Sequence, residues 1–180
     1  MGIGFFAADL RAASGSKRFI PNLKWAIFNH SAHLVFFYRL GQSAATLPIV
    51  GHPMRFFIEY FIRIVFSSDL SCRSKIGPGL VVVHGHDIVI GADVKIGKNC
   101  KIFNGVTLGN KDITKSSVGN QPTLGDNSVL STGAKILGPV TLGENIVVGA
   151  NSVVLQDFPD NSVVVGIPAK VVRNRSENQR

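Results

Sequence analysis

Two histidines, His84 and His86, stand in the short run Val83-His84-Gly85-His86-Asp87, which interrupts an otherwise regular pattern in the chain. An imidazole titrates near neutral pH, so it can take a proton from an attacking group and return it to a leaving group. Both rings are therefore candidates for a general base. Asp87 could hold the His86 ring, which keeps His86 as the rival of His84. The remaining histidines, His30, His33 and His52, fall outside the patterned region and read as surface residues of helices or turns. Within that region Asp, Glu and His do not cluster at metal-ligand spacing, which argues for chemistry without a metal. Cys72 and Cys100 lack CxxC spacing and read as reduced structural thiols.

The pattern that must position these side chains has a period of six. Aliphatic residues stand at Leu70, Ile76 and Val82, at Ile90, Ile96, Ile102 and Leu108, and at Leu124, Leu130, Ile136, Leu142, Val148 and Val154. Many are followed by Gly or another small residue, as in Ile90-Gly91, Ile96-Gly97 and Leu142-Gly143. Neither a helix nor an alternating strand repeats at six, whereas a solenoid of short strands and sharp corners does. Turns in a β-sandwich would fall every ~8–12 residues. The spacing thus predicts a mainly β chain wound as a parallel β-helix over residues 67–173. The row slips by two between Val82 and Ile90, so the coil must bulge at His84, and bulges re-aim side chains. A second break, between Leu108 and Leu124, expels ten residues as a polar loop over 110–123. Residues 174–180 read as a flexible tail.

Residues 1–66 lack the period and read as a short helical extension, with helices near 22–45 and 53–66 separated by Leu47-Pro48 and Gly51-His52-Pro53. Aromatic side chains there mix with Lys17, Arg18, Lys24, Arg39 and Arg55. They can pack on the end of the coil, or residues 17–66 can touch a membrane interface. The net charge of +8 suits a phosphorylated cofactor or an anionic membrane surface, while no nucleic-acid-binding motif accompanies it. Asp9 and Arg11 interrupt the first apolar run, so no secretory signal is expected. The apolar stretch 55–66 is far short of ~20 uncharged residues and contains Glu59 and Arg63. Cytoplasmic residence, with peripheral contact at the inner face of the membrane, is the corresponding expectation.

Together, the six-residue rows, the expelled loop and the closing Val165-Gly166-Ile167-Pro168-Ala169-Lys170-Val171-Val172-Arg173 resemble the hexapeptide-repeat acyltransferases. Asp69-Leu70, Lys75-Ile76-Gly77-Pro78-Gly79, His84, Val106-Thr107-Leu108-Gly109 and Gly133-Ala134-Lys135-Ile136-Leu137-Gly138 are similar to the serine acetyltransferase branch. The resemblance covers about residues 53–173 and implies a left-handed coil, a homotrimer with active sites between subunits, and acetyl-CoA as co-substrate. It also implies that His84 is the base and that Asp69, fifteen residues earlier, orients its ring. For the acyl donor it implies a groove flanked by Thr132 and Ala150, with Leu155, Gln156, Lys170 and Arg173 toward the nucleotide end. A further branch carries its catalytic His in the expelled loop, but this loop has none.

Two departures bear on the acceptor. The serine enzymes have an Asp where Val83 stands, and an Arg-His pair where Asn120-Gln121 precedes Pro122. Without the Arg, a carboxylate loses a charge-assisted contact. The expectation is therefore O-acetylation of a neutral hydroxyl, a sugar of a surface or capsular glycan or its precursor. The alternatives are serine O-acetylation and a catalytically inactive binding scaffold.

Overall fold

The computed structural model describes residues 2–175. Among the described residues fifteen strands form three sheets, and consecutive strands pass from one sheet to the next. The first sheet holds β1 (Asp69–Leu70), β4 (Val89–Ile90), β7 (Thr107–Asn110), β10 (Lys135–Gly138) and β13 (Val153–Val154). The second holds β2 (Lys75–Ile76), β5 (Lys95–Ile96), β8 (Thr123–Leu124) and β11 (Thr141–Leu142). The third holds β3 (Val81–Val83), β6 (Lys101–Phe103), β9 (Val129–Leu130), β12 (Val147–Val148), β14 (Ser162–Gly166) and β15 (Ala169–Asn174). Every pairing is parallel except the final β14–β15 hairpin.

The register reproduces both breaks of the period. Ile90 pairs with Leu108, a regular coil, whereas Leu70 pairs with Ile90, two residues longer, and Ile96 pairs with Leu124, ten residues longer. All thirteen row residues from Leu70 to Val154 are buried, so the rows form the core. Corners turn on residues with positive φ: Asn99, Asn127, Asn145 and Asn161 line one edge, and Asp87, Gly105, Gly133 and Asn151 another. Gly and the short polar residues tolerate this left-handed conformation best. Each such residue also donates its N–H to the preceding coil, as Asn145 does to the carbonyl of Asp126 at 2.9 Å.

Among the described residues four α-helices precede the coil: α1 (Phe6–Ser14), α2 (Phe19–Phe28), α3 (His30–Ala44) and α4 (Gly51–Phe66). The single helix expected near 22–45 is divided at Asn29, which is extended (φ −100°, ψ 115°) and accepts the Ala32 N–H on its side chain at 3.0 Å. That capping satisfies a first-turn donor that a continuous helix would not leave open. Gly51-His52-Pro53, expected to separate helices, forms the first turn of α4, where proline's missing N–H costs nothing. Leu34, Val35, Tyr38, Ile62 and Phe66 join the coil residues in one buried cluster, so helices and coil share a core. At the far end, Asn174 closes β15 and Arg175 donates to the carbonyl of Asn161 at 2.7 Å. The rest of the expected tail, 176–180, lies outside the described residues.

A buried ion pair fastens the helices to the first coil. Arg39 is fully buried and Asp9 nearly so. Nε of Arg39 donates to Asp9 Oδ2 at 2.8 Å, and its two Nη atoms donate to the carbonyls of Ile76 and Gly77 at 2.8 and 2.7 Å. Asp9 Oδ1 also accepts the N–H groups of Gly79 and Leu80, both at 2.8 Å. Arg39, read in the sequence among the basic residues of a mixed surface, is thus a core residue.

Both cysteines are free and buried. Burial pushes the Cys72 thiol from 9.0 up to about 12, assisted by the Glu59 carboxylate, and pushes Cys100 from 9.0 up to about 11. A folded-state value above the unfolded one means that the native protein holds its proton longer. This contribution is fully present below pH 9 and is lost as pH rises toward 11–12. Native protein at pH 8 should therefore react with a disulfide thiol reagent far more slowly than urea-unfolded protein, and its melting temperature should fall above pH 9. Equal thiol rates in the two states would refute the burial argument.

Candidate active site

The two extra residues of the first coil are His84 and Gly85. In later coils the same corner is Asn104-Gly105, Thr132-Gly133 and Ala150-Asn151, with N–H groups running from Gly105 to the His86 carbonyl, from Gly133 to Asn104 and from Asn151 to Thr132. His86-Asp87 is therefore the ordinary corner, and His84-Gly85 is inserted before it. His84 has φ 55°, a left-handed backbone that is costly for a residue with a side chain, and its carbonyl accepts the His86 N–H at 2.7 Å. The insertion is pinned from outside. Gly85 donates to Ser31 Oγ at 2.9 Å, and a Cβ on Gly85 would lie 3.1 Å from both Ser31 Oγ and Leu34 Cδ2. The start of α3 thus presses on the turn that aims His84, which explains a glycine there.

His84 and His86 are both exposed and line a cleft of about 550 Å³ between the helices and the outer face of the third sheet. Trp25, His30, Val83, Lys101 and Phe103 line it as well. Val81 pairs with Lys101 and Val83 with Phe103, and in each strand the residue between them is buried, so these four side chains project to the same outer face. Lys101 brings a cation to the cleft that carries the imidazoles. Sequence reasoning missed Trp25 and Lys101. The outward phase of Lys101, one residue before the row member Ile102, was a usable signal, whereas nothing local places Trp25 there.

The structure does not join the expected dyad within one chain. Asp69 opens β1 on the outer face, and its Oδ1 accepts a hydrogen bond from Arg63 Nη2 of α4 at 2.9 Å. Among the described residues no hydrogen bond links Asp69 to His84, nor Asp87 to His86. The physical reason is sequence neighbourhood: Arg63 lies in the last turn of α4, six residues before Asp69, and reaches its carboxylate first.

Of the residues expected along the donor groove, Thr132 and Ala150 share one corner, whereas Leu155 and Gln156 stand at the corner beyond β13 and Lys170 and Arg173 on the terminal strand β15. Thr132 and Ala150 are exposed and share the corner row with His86 and Asn104, and Thr132 Oγ1 donates to Asn104 Oδ1 at 3.2 Å. With strands spaced ~4.8 Å apart, three rungs carry this row about 14 Å from His86 to Ala150. Leu155 and Gln156 follow β13, and Lys170 and Arg173 stand on β15, all exposed.

The two loop departures have local duties. Asn120 Nδ2 donates to the carbonyls of Ser116 and Val118, both at 3.1 Å, and Gln121 Oε1 accepts the Asp93 N–H at 2.8 Å. Asp93 in turn accepts the Gly119 N–H at 2.7 Å, so these side chains clamp the loop to its own coil. Neither lines the His84 cleft of the same chain. Their side chains answer to loop closure within this chain.

Comparison with known proteins agrees. Residues 121–156 match the bacterial transferase hexapeptide (six repeats) and residues 87–111 the hexapeptide repeat of succinyl-transferase. The serine acetyltransferase of Helicobacter pylori is 35% identical over 145 residues, 78% of this chain and 80% of that one. The serine acetyltransferase of Bacillus subtilis is 45% identical over 68% of this chain and 56% of its own length. The chain spans about half the length of the first such relatives. Soybean serine acetyltransferase complexed with serine superimposes with a TM-score of 0.83 and 30% identity over 94% of this chain and 68% of that one. A serine acetyltransferase complex with CoA gives 0.81 and 26% over 94% and 68%. These relatives overturn the expected glycan acceptor in favour of the serine alternative, since the likeness extends through the helices and the coil alike. The chain belongs to the serine acetyltransferase family of hexapeptide-repeat transferases.

Proposed function

We propose that the protein transfers the acetyl group of acetyl-CoA to the hydroxyl of L-serine, with His84 as general base. The observation that carries this is the placement of His84 in an inserted left-handed turn, braced by Ser31 and open to a cleft that also holds Lys101. His84 removes the hydroxyl proton as the oxygen attacks the thioester carbonyl. The tetrahedral adduct then collapses, the C–S bond breaks, and the imidazolium returns the proton to the departing thiolate, leaving O-acetylserine and CoA. Lys101 supplies the positive charge that the acceptor carboxylate requires in place of the loop arginine. Asp69 takes up the imidazolium in the loaded state. Its pair with Arg63 is half-exposed on both sides and worth only about 0–1 kcal/mol, so leaving it costs little.

In this reading the three sheets wind as a left-handed β-helix over residues 67–173, capped by the helices of 1–66. Three copies associate, and the donor lies along Thr132 and Ala150 with its phosphates toward Lys170 and Arg173. The relatives complexed with serine and with CoA support this choice of ligands. The test is release of free thiol from acetyl-CoA by purified protein, whose mass by light scattering should be that of three chains. Serine should be turned over with kcat/KM above ~10⁴ per molar per second, ordinary for a physiological substrate. No thiol release above background with serine would reject the assignment.

A further inference from the structure

We infer that α2 is an interfacial helix that lays the protein on an anionic lipid surface. Phe19, Ile20, Leu23, Ile27 and Phe28 are exposed, Phe19 to 76% and Phe28 to 82%, whereas Asn22, Trp25 and Ala26 on the opposite side are half-buried against the body. The helix therefore turns its apolar face outward, the reverse of an ordinary surface helix. Lys17, Arg18 and Lys24 are exposed beside or within that face. From residue 10 to residue 58 the chain has no Asp or Glu, and Asp9 is already committed to Arg39. Two copies meeting through α2 would set these cations against one another with no carboxylate to answer them. An anionic headgroup layer supplies that answer, while the rings and aliphatic chains enter the acyl boundary beneath it.

The dimensions agree. Ten residues of helix extend about 15 Å, enough to lie in the interface plane. Among the described residues no helix is long and apolar enough to cross a membrane. The inference is independent of the acetyl-transfer reading and of its substrates.

The test is co-sedimentation of the full chain with phosphatidylcholine vesicles, with and without phosphatidylserine, at low and high salt. We expect binding to the anionic vesicles that weakens as salt rises. The triple variant Lys17→Glu/Arg18→Glu/Lys24→Glu, and separately Phe19→Ser/Phe28→Ser, should each lower partitioning at least ~10-fold. These side chains are exposed, and an unchanged circular dichroism spectrum would show that the variants fold. Absence of binding to either vesicle, or equal binding by all forms, overturns the proposal. It is overturned as well if the apolar variant lowers the mass of vesicle-free protein, because the face then covers a second copy.

Discussion

Replacing His84 by Ala lowers serine-dependent kcat about 10²–10⁴-fold, the usual worth of a positioned general base, and leaves the fold intact. The side chain is exposed, so truncation removes no core packing. Small size at this position also relaxes nothing essential, because the turn is held by the Gly85–Ser31 bond and by the His84 carbonyl. His86→Ala serves as the control: it shares the cleft but sits in the ordinary corner of the coil. If His86→Ala abolishes turnover and His84→Ala does not, the base is His86 and the inserted turn only shapes the cleft. Asp69→Asn should lower kcat by less than His84→Ala, since it alters the orientation and charge balance of the base without removing it.

Asp9→Ala should destabilise the protein by about 3–5 kcal/mol, the cost of leaving a buried charge without its partner. Arg39 has no exposed surface through which to recover water. The N–H groups of Gly79 and Leu80 lose an acceptor in the same substitution. The damage falls where the helices meet the first coil, and through Ser31 it reaches the turn that carries His84. Urea unfolding monitored by circular dichroism measures it. Combining Asp9→Leu with Arg39→Met should recover only the part due to the unpaired charge, because the N–H groups of Gly79 and Leu80 and the carbonyls of Ile76 and Gly77 still lose their partners. A loss below about 1 kcal/mol for Asp9→Ala would mean that water or a rearranged Gln42 satisfies the guanidinium.

The sequence by itself determined the inward rows of the parallel sheets. Inward rows from Leu70 to Val154, the two-residue slip at His84 and the ten-residue loop were legible because each coil repeats the same local register. A repeated register tells which side chains point inward and where an extra residue must leave the line. Thr132 and Ala150 fall on one corner for the same reason. Acceptor preference was misread at Asn120 and Gln121, whose side chains answer to Asp93 and the loop backbone. Only the tertiary structure decided how the helices sit. Asp9 meets Arg39 thirty residues away and Leu80 seventy-one away, and Ser31 meets Gly85 across fifty-four. Contacts of this kind arise where a helix docks on the end of a coil. No period or neighbouring residue encodes them, because docking depends on the shape and polar complementarity of two surfaces already formed.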